Sequence, residues 1–187
     1  MEIKDSLLVA MMFIMILSIG IATVLGGLAD TVRRPLGEIH WLPIVWMLLL
    51  LFHHLDLFWN SVLIMAAEEW RFTGFLYMIL GPILLFLATT VILSKPNENI
   101  PVASAQHYFE VSTYFFAVLA LLMLWTIGAD YRLRDGLSMS STQDVIQFFS
   151  FVALAFNKNL TLHKFITIFL CVVVLSIVIA HGAGIAS

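Results

Sequence analysis

Long runs without charge are the feature that most restricts how this chain can fold. No Asp, Glu, Lys or Arg occurs in residues 6–29 or in residues 72–94, and further apolar runs follow along the chain. A helix that spans a bilayer needs about 20 predominantly apolar residues, whereas a strand in a soluble core is much shorter. We therefore expect an integral membrane protein whose main partner is the lipid bilayer.

The composition agrees with this expectation and excludes several other classes of protein. Hydrophobic residues make up 61% of the chain and charged residues 11%, whereas a soluble domain carries about 25% charge. The net charge of −3 provides no basic surface, so a nucleic-acid partner is not expected. A transmembrane β-barrel is excluded because its strands would alternate between apolar and polar residues.

Charges and turn residues divide the chain into six apolar segments with no separate soluble part. We predict a single polytopic membrane domain over residues 1–187, an all-α bundle of six transmembrane helices. The predicted helices cover approximately residues 6–28, 39–59, 72–93, 106–127, 142–157 and 162–181. Six spans place both termini on one membrane face, here named side A, and the opposite face is side B. Short loops make consecutive helices antiparallel neighbours.

The ends of helices 1 and 4 resemble each other. Ala29-Asp30 and Ala129-Asp130 each precede a pair of arginines at the end of an apolar run. Two three-helix units in tandem have opposite orientations in the bilayer, as in many transporters. The sequence is therefore compatible with a fold built from two inverted three-helix repeats.

The most polar stretch within an apolar run lies in the second half of helix 2. We place its two histidines roughly 8–9 Å from the end of that helix, at 1.5 Å per residue. Ionisable groups at such a depth normally face the bundle interior or a wet cavity. Polar residues of other segments reach the same side, so the predicted transport cluster comprises His53, His54, Asp56, Asn60, Glu68, Glu69 and His181.

A metal ion is an alternative ligand for part of this cluster. His53, His54 and Asp56 are the candidate ligands, since imidazole and carboxylate groups bind borderline and hard metals. Their spacing matches no established metal motif, so the cofactor stays open. Haem is not expected, because His181 lies too close to the helix end to pair with either histidine.

Other residues point to packing. Two stripes of small residues at four-residue spacing are expected at close helix contacts, within the chain or between protomers of a homo-oligomer: Ser18, Ala22 and Gly26 in helix 1, and Ser176, Ala180 and Gly184 in helix 6. Gly81-Pro82 predicts a kink in helix 3. Trp41, Trp59, Trp70 and Trp125 are expected at the membrane surfaces.

These features favour a transporter or channel for an ion or small solute. A non-catalytic accessory or interaction subunit of a membrane complex is the first alternative, and a metal-dependent membrane enzyme or redox protein is the second. The chain contains no nucleotide-binding or acyl-transfer motif, so we assign no catalytic residues and favour enzymes least.

Residues 40–59 resemble the tryptophan-rich second helix of small bacterial membrane proteins. We therefore expect a multi-pass protein of the bacterial inner membrane.

Overall fold

The structure, a computed structural model, describes residues 5–35, 39–66, 71–94, 102, 104–134 and 139–182. These residues form α1 (Asp5–Val32), α2 (Trp41–Ala66), α3 (Phe72–Leu93), α4 (Ala105–Arg134), α5 (Met139–Phe156) and α6 (Leu160–Gly182). The prediction of an all-α fold is confirmed. The first four helices are long and apolar enough to cross a membrane, which indicates a multi-pass membrane protein, whereas the apolar parts of α5 and α6 are shorter.

Several helix boundaries differ from the prediction. α2 continues to Ala66 rather than residue 59, and α4 continues to Arg134 rather than residue 127. A charged residue marks where a helix leaves the apolar region, but it does not stop the backbone from continuing its hydrogen bonds. Asn60 even bonds within the helix, since its Nδ2 donates to the Asp56 carbonyl at 3.0 Å. The extension places His53 near the middle of α2, about 18 Å from either end at the helical rise.

Consecutive helices run antiparallel, and the centre of the bundle is aromatic. α1 packs against α2 and α3, while α4 packs against α3 and α5 and also contacts α2. The largest fully buried side chains at the junction of α2, α4 and α5 are Trp46, Phe115, Phe116 and Phe151. α6 contacts α2 and α5. It leaves a wide face of large apolar side chains exposed, which suits contact with lipid.

The buried face of α1 differs from the predicted stripe of small residues. Its buried positions follow alternating spacings of three and four residues, through Ala10, Phe13, Leu17, Gly20 and Val24. Ser18, Ala22 and Gly26 lie on the exposed side, and a Cβ added to Gly26 would meet no described atom within 4 Å. In α6, Ser176 is also exposed; the Ala180 side chain and Gly184 lie outside the described part. Contact between protomers through these stripes therefore stays a prediction.

Gly81 and Pro82 lie in the middle of α3, where they are buried against α4. The missing side chain of Gly81 makes room for the Trp125 ring. Nε1 of Trp125 donates to the Tyr77 carbonyl at 2.7 Å. In return, the Tyr77 hydroxyl donates to the Trp125 carbonyl at 3.1 Å and lies over Gly128. The Trp125 indole is buried in this α3–α4 contact rather than turned outward, and its location at a membrane surface stays a prediction.

Candidate functional site

His53 of α2 makes a polar contact with α5 in the middle of the bundle. Its Nδ1 lies 2.7 Å from the Leu49 carbonyl, one turn earlier in α2, and donates to it. This bond directs the other ring nitrogen across the interface, where Nε2 lies 3.2 Å from Oε1 of Gln147. The histidine is half-buried and the glutamine is buried. A titratable ring thus joins two helices in the bundle interior.

Asp144 extends this contact to α4. It precedes Gln147 by three residues and so shares its face of α5. Its carboxylate is hydrogen-bonded to Thr126 of α4 and interacts electrostatically with His53. Asp56 of α2 and Asp130 of α4 also interact electrostatically with the Asp144 carboxylate. All three helices thus place an acidic group near Asp144. We name His53, Asp144 and Gln147 the side-A site, because Asp144 and Gln147 lie in the first half of α5, which is the half toward side A in the predicted topology.

The His54 side chain points away from the side-A site. It is fully buried against α1, where a Cβ on Gly20 would overlap its ring. Its Nδ1 donates to the Leu50 carbonyl at 2.8 Å, which leaves Nε2 as an acceptor. Within the residues that the structure describes, Nε2 has no hydrogen-bond partner. Adjacent positions on α2 therefore serve two different helix contacts.

The predicted metal ligands do not converge. His53 points toward α5 and His54 toward α1. Across the described ranges, no three His, Cys, Asp or Glu side chains are grouped so that they could hold a metal ion. The geometry of the described residues thus offers no support for a site formed by His53, His54 and Asp56.

The remaining predicted members have different positions. Asp56 is exposed and Asn60 half-buried, one and two turns beyond His53 on α2. Glu68 and Glu69 lie outside the described residues. His181 is in the last turn of α6, and its side chain lies outside the described part. The prediction missed Gln147 and Thr126. A signal for Gln147 existed, since it is a polar residue in the apolar part of α5, three positions after Asp144.

At the opposite end of the bundle, His40 caps α2. Its Nδ1 accepts a hydrogen bond from the Leu42 backbone N–H at 3.3 Å, one of the amide groups that a helix start leaves without an internal partner. Burial lowers the pKa of His40, and the positive charge of Lys164 lowers it further. The neutral ring is therefore the form that fits the cap.

No protein-family model, curated protein or solved structure matches this chain. Its chemistry has to be inferred from the site itself. An imidazole that contacts an amide and interacts electrostatically with a carboxylate can bind and release a proton, and nearby carboxylates favour positive charge. The arrangement is suited to a proton or another small cation.

Proposed function

We propose that this protein is a small transporter or channel that moves protons across the membrane through the side-A site. The observation that carries the proposal is the contact of His53 with Gln147 near the middle of α2, with Asp144 close enough to interact electrostatically with His53. In the proposal α5 and α6 complete six spans, arranged as two inverted three-helix units. A polar α5 face turned toward α2 and α4 supports a position of α5 inside the membrane.

The depth of the site argues for a role beyond packing. An ionisable group exposed to lipid at the centre of a helix costs roughly 2.5–3.5 kcal/mol, so membrane proteins rarely keep one without a use. Here an imidazole and a carboxylate come from different helices and interact electrostatically across the space between them. Asp56 and Asp130 add negative charge around the pair, which attracts cations and repels anions.

The contact between His53 and Gln147 can exist in two protonation states. In the protonated ring both nitrogens donate, Nδ1 to the Leu49 carbonyl and Nε2 to Oε1 of Gln147. In the neutral ring Nε2 accepts, and the Gln147 amide has to rotate so that its NH₂ group donates. Uptake and release of one proton therefore need only a rotation of this amide.

Proton flux into liposomes tests this function. Purified protein is reconstituted into vesicles that contain a pH-sensitive dye, and a potassium gradient with valinomycin drives proton entry. His53→Gln and Asp144→Asn should reduce the flux to that of protein-free vesicles. His40→Gln and Asp30→Asn are the matched controls, because these residues lie near the opposite end of the bundle, and they should keep the flux of the unmodified protein.

Two results would contradict the proposal. One is an unmodified protein that conducts no more protons than empty vesicles under this gradient. The other is flux that persists in His53→Gln and Asp144→Asn. Circular dichroism and gel filtration of every variant separate loss of transport from loss of fold.

An accessory or interaction subunit is the second candidate function, supported by one observation. The small residues Ser18, Ala22 and Gly26 lie together on the exposed side of α1, where another helix could approach closely. The same face could join copies of this chain into the proposed homo-oligomer. The molar mass of the purified protein in detergent, and any subunit that co-purifies with it, would decide between these assemblies.

A further inference from the structure

Two neighbouring helices, α2 and α5, change from polar to aromatic side chains at matching positions along the bundle. On α5, polar Gln147 is followed one turn later by Phe151, and on α2, His53 is preceded two turns earlier by Trp46. These pairs adjoin each other, since His53 contacts Gln147 and Trp46 contacts Phe151. Toward side B, the bundle passes from the polar side-A site to an apolar layer of aromatic rings.

The aromatic layer consists of Trp46, Phe116 and Phe151, which come from α2, α4 and α5. The ring centroid of Phe116 lies 4.8 Å from that of Trp46 and 6.3 Å from that of Phe151. The Trp46 and Phe151 rings are 5.9 Å apart, and all three side chains are fully buried. Packed aromatic rings leave no room for water between them.

A second polar group lies on the other side of this layer. The Tyr108 hydroxyl donates to Nδ1 of His163 at 2.8 Å, and Nε2 of His163 donates to the Asn157 carbonyl at 2.6 Å. Tyr108 and His163 are both fully buried, and the His163 ring lies 5.6 Å from that of Phe116. Asn157 is exposed in the short connection between α5 and α6. The pair thus links the aromatic layer to the side-B surface.

The surroundings of this pair are also polar. Thr167 lies one turn after His163 on α6, and its hydroxyl accepts a hydrogen bond from Nε1 of Trp46 at 3.2 Å. Lys158 interacts electrostatically with His163. Its Nζ donates to the Phe109 carbonyl at 2.6 Å and to the Ser112 hydroxyl at 2.8 Å, and burial lowers its pKa.

We propose that Tyr108 and His163 form a second proton-binding site, the side-B site, and that the aromatic layer separates it from the side-A site. This inference rests on the proposed function, because it names the second half of the same proton path. Protons would enter one site from its own membrane face, and the aromatic layer would limit their passage to the other.

The proton balance at the side-B site is simple. His163 takes up one proton at Nδ1 and becomes an imidazolium, while Nε2–H keeps its bond to the Asn157 carbonyl. The Tyr108 hydroxyl then rotates, so that its oxygen accepts from Nδ1 instead of donating to it. Release of that proton restores the neutral ring and the original bond, so no covalent bond between heavy atoms forms or breaks.

Conservative variants with matched controls test this proposal in the liposome assay. Tyr108→Phe removes only the hydroxyl that bonds to His163 and should lower proton flux several-fold. Tyr114→Phe is its control, because Tyr114 is 72% exposed on the same helix and should leave the flux unchanged. Phe151→Ser places a cavity and a hydroxyl in the aromatic layer, so that water can enter, and should raise the flux several-fold.

The control for the aromatic layer is Phe149→Ser, since Phe149 lies on the same helix and is 65% exposed. If Tyr108→Phe and Phe151→Ser conduct like their controls while His53→Gln abolishes flux, the second site is refuted and the proposed function stands. If the unmodified protein and Phe151→Ser both conduct no protons, both proposals fail. Tyr108→Phe keeps its ring, so it provides a result even where Phe151→Ser does not fold.

Discussion

Replacement of Gly20 by alanine should destabilise the protein, whereas the same change at Gly26 should not. A Cβ at residue 20 would overlap Nε2 of His54 and lie 2.6 Å from its Cδ2. The ring has little room to withdraw, because it is fully buried and its Nδ1 is bonded to the Leu50 carbonyl. At Gly26 an added Cβ would meet no described atom within 4 Å.

The size of the effect follows from two opposing contributions. Alanine in a helix interior is more favourable than glycine by roughly 0.5–1 kcal/mol, and both variants gain this contribution. An extra carbon in a packed core costs about 1–3 kcal/mol, and only Gly20→Ala incurs this cost. The free energy of unfolding of Gly20→Ala should therefore lie about 1–3 kcal/mol below that of Gly26→Ala.

Unfolding in mixed detergent micelles, followed by circular dichroism, measures this difference. The double variant Gly20→Ala/His54→Ala removes the ring that the new methyl group would meet. The double variant should therefore be no less stable than the single variant His54→Ala. Equal stability of Gly20→Ala and Gly26→Ala would show that α1 does not pack against His54, and the described α1–α2 contact would be refuted.

Two further predictions concern the helix ends. The neutral His40 ring accepts a hydrogen bond from the Leu42 N–H, and a protonated ring cannot. The stability that this bond provides is therefore present above the ordinary pKa of 6.5. It should be lost as the pH falls through the lowered pKa that His40 has in the folded protein. Asn at residue 40 can cap the helix but does not titrate. When the pH is lowered from 8 to 5, the thermal unfolding temperature should thus fall less for His40→Asn than for the unmodified protein. An equal fall in both proteins would refute this role of His40. Reporter fusions after Asp135 and after Lys158 should lie on opposite membrane faces, and reporters on the same face would show that α5 does not span.

The helices could be predicted from the sequence because each depends on a local property. Uncharged runs such as residues 72–94 are long enough for a span whatever they pack against. The extension of α2 to Ala66 was not predictable in this way, since polar residues such as Asn60 end an apolar run without ending a helix. Charge patterns therefore locate the ends of apolar runs better than the ends of helices.

The candidate site could be predicted only in part because it depends on how helices meet. Helical geometry places Asp144 and Gln147 on one face of α5, but it does not indicate that this face meets His53 of α2. Trp125 illustrates the same limit. Tryptophan is frequent both at membrane surfaces and in cores, and here the deciding feature is the space that Gly81 leaves on the neighbouring helix.

Four histidines within the helices have described side chains, and they separate into two kinds by where the second ring nitrogen points. His54 and His107 each donate one hydrogen bond to a backbone carbonyl, and their other nitrogen is buried with no partner in the described part of the chain. His53 and His163 instead use both nitrogens, and each has one bond to a side chain of another helix. Rotation of the partner amide or hydroxyl can accommodate a proton on the second pair of rings, whereas the first pair has no such partner. The proposed proton path therefore runs through His53 and His163, whereas His54 and His107 serve helix packing in this proposal.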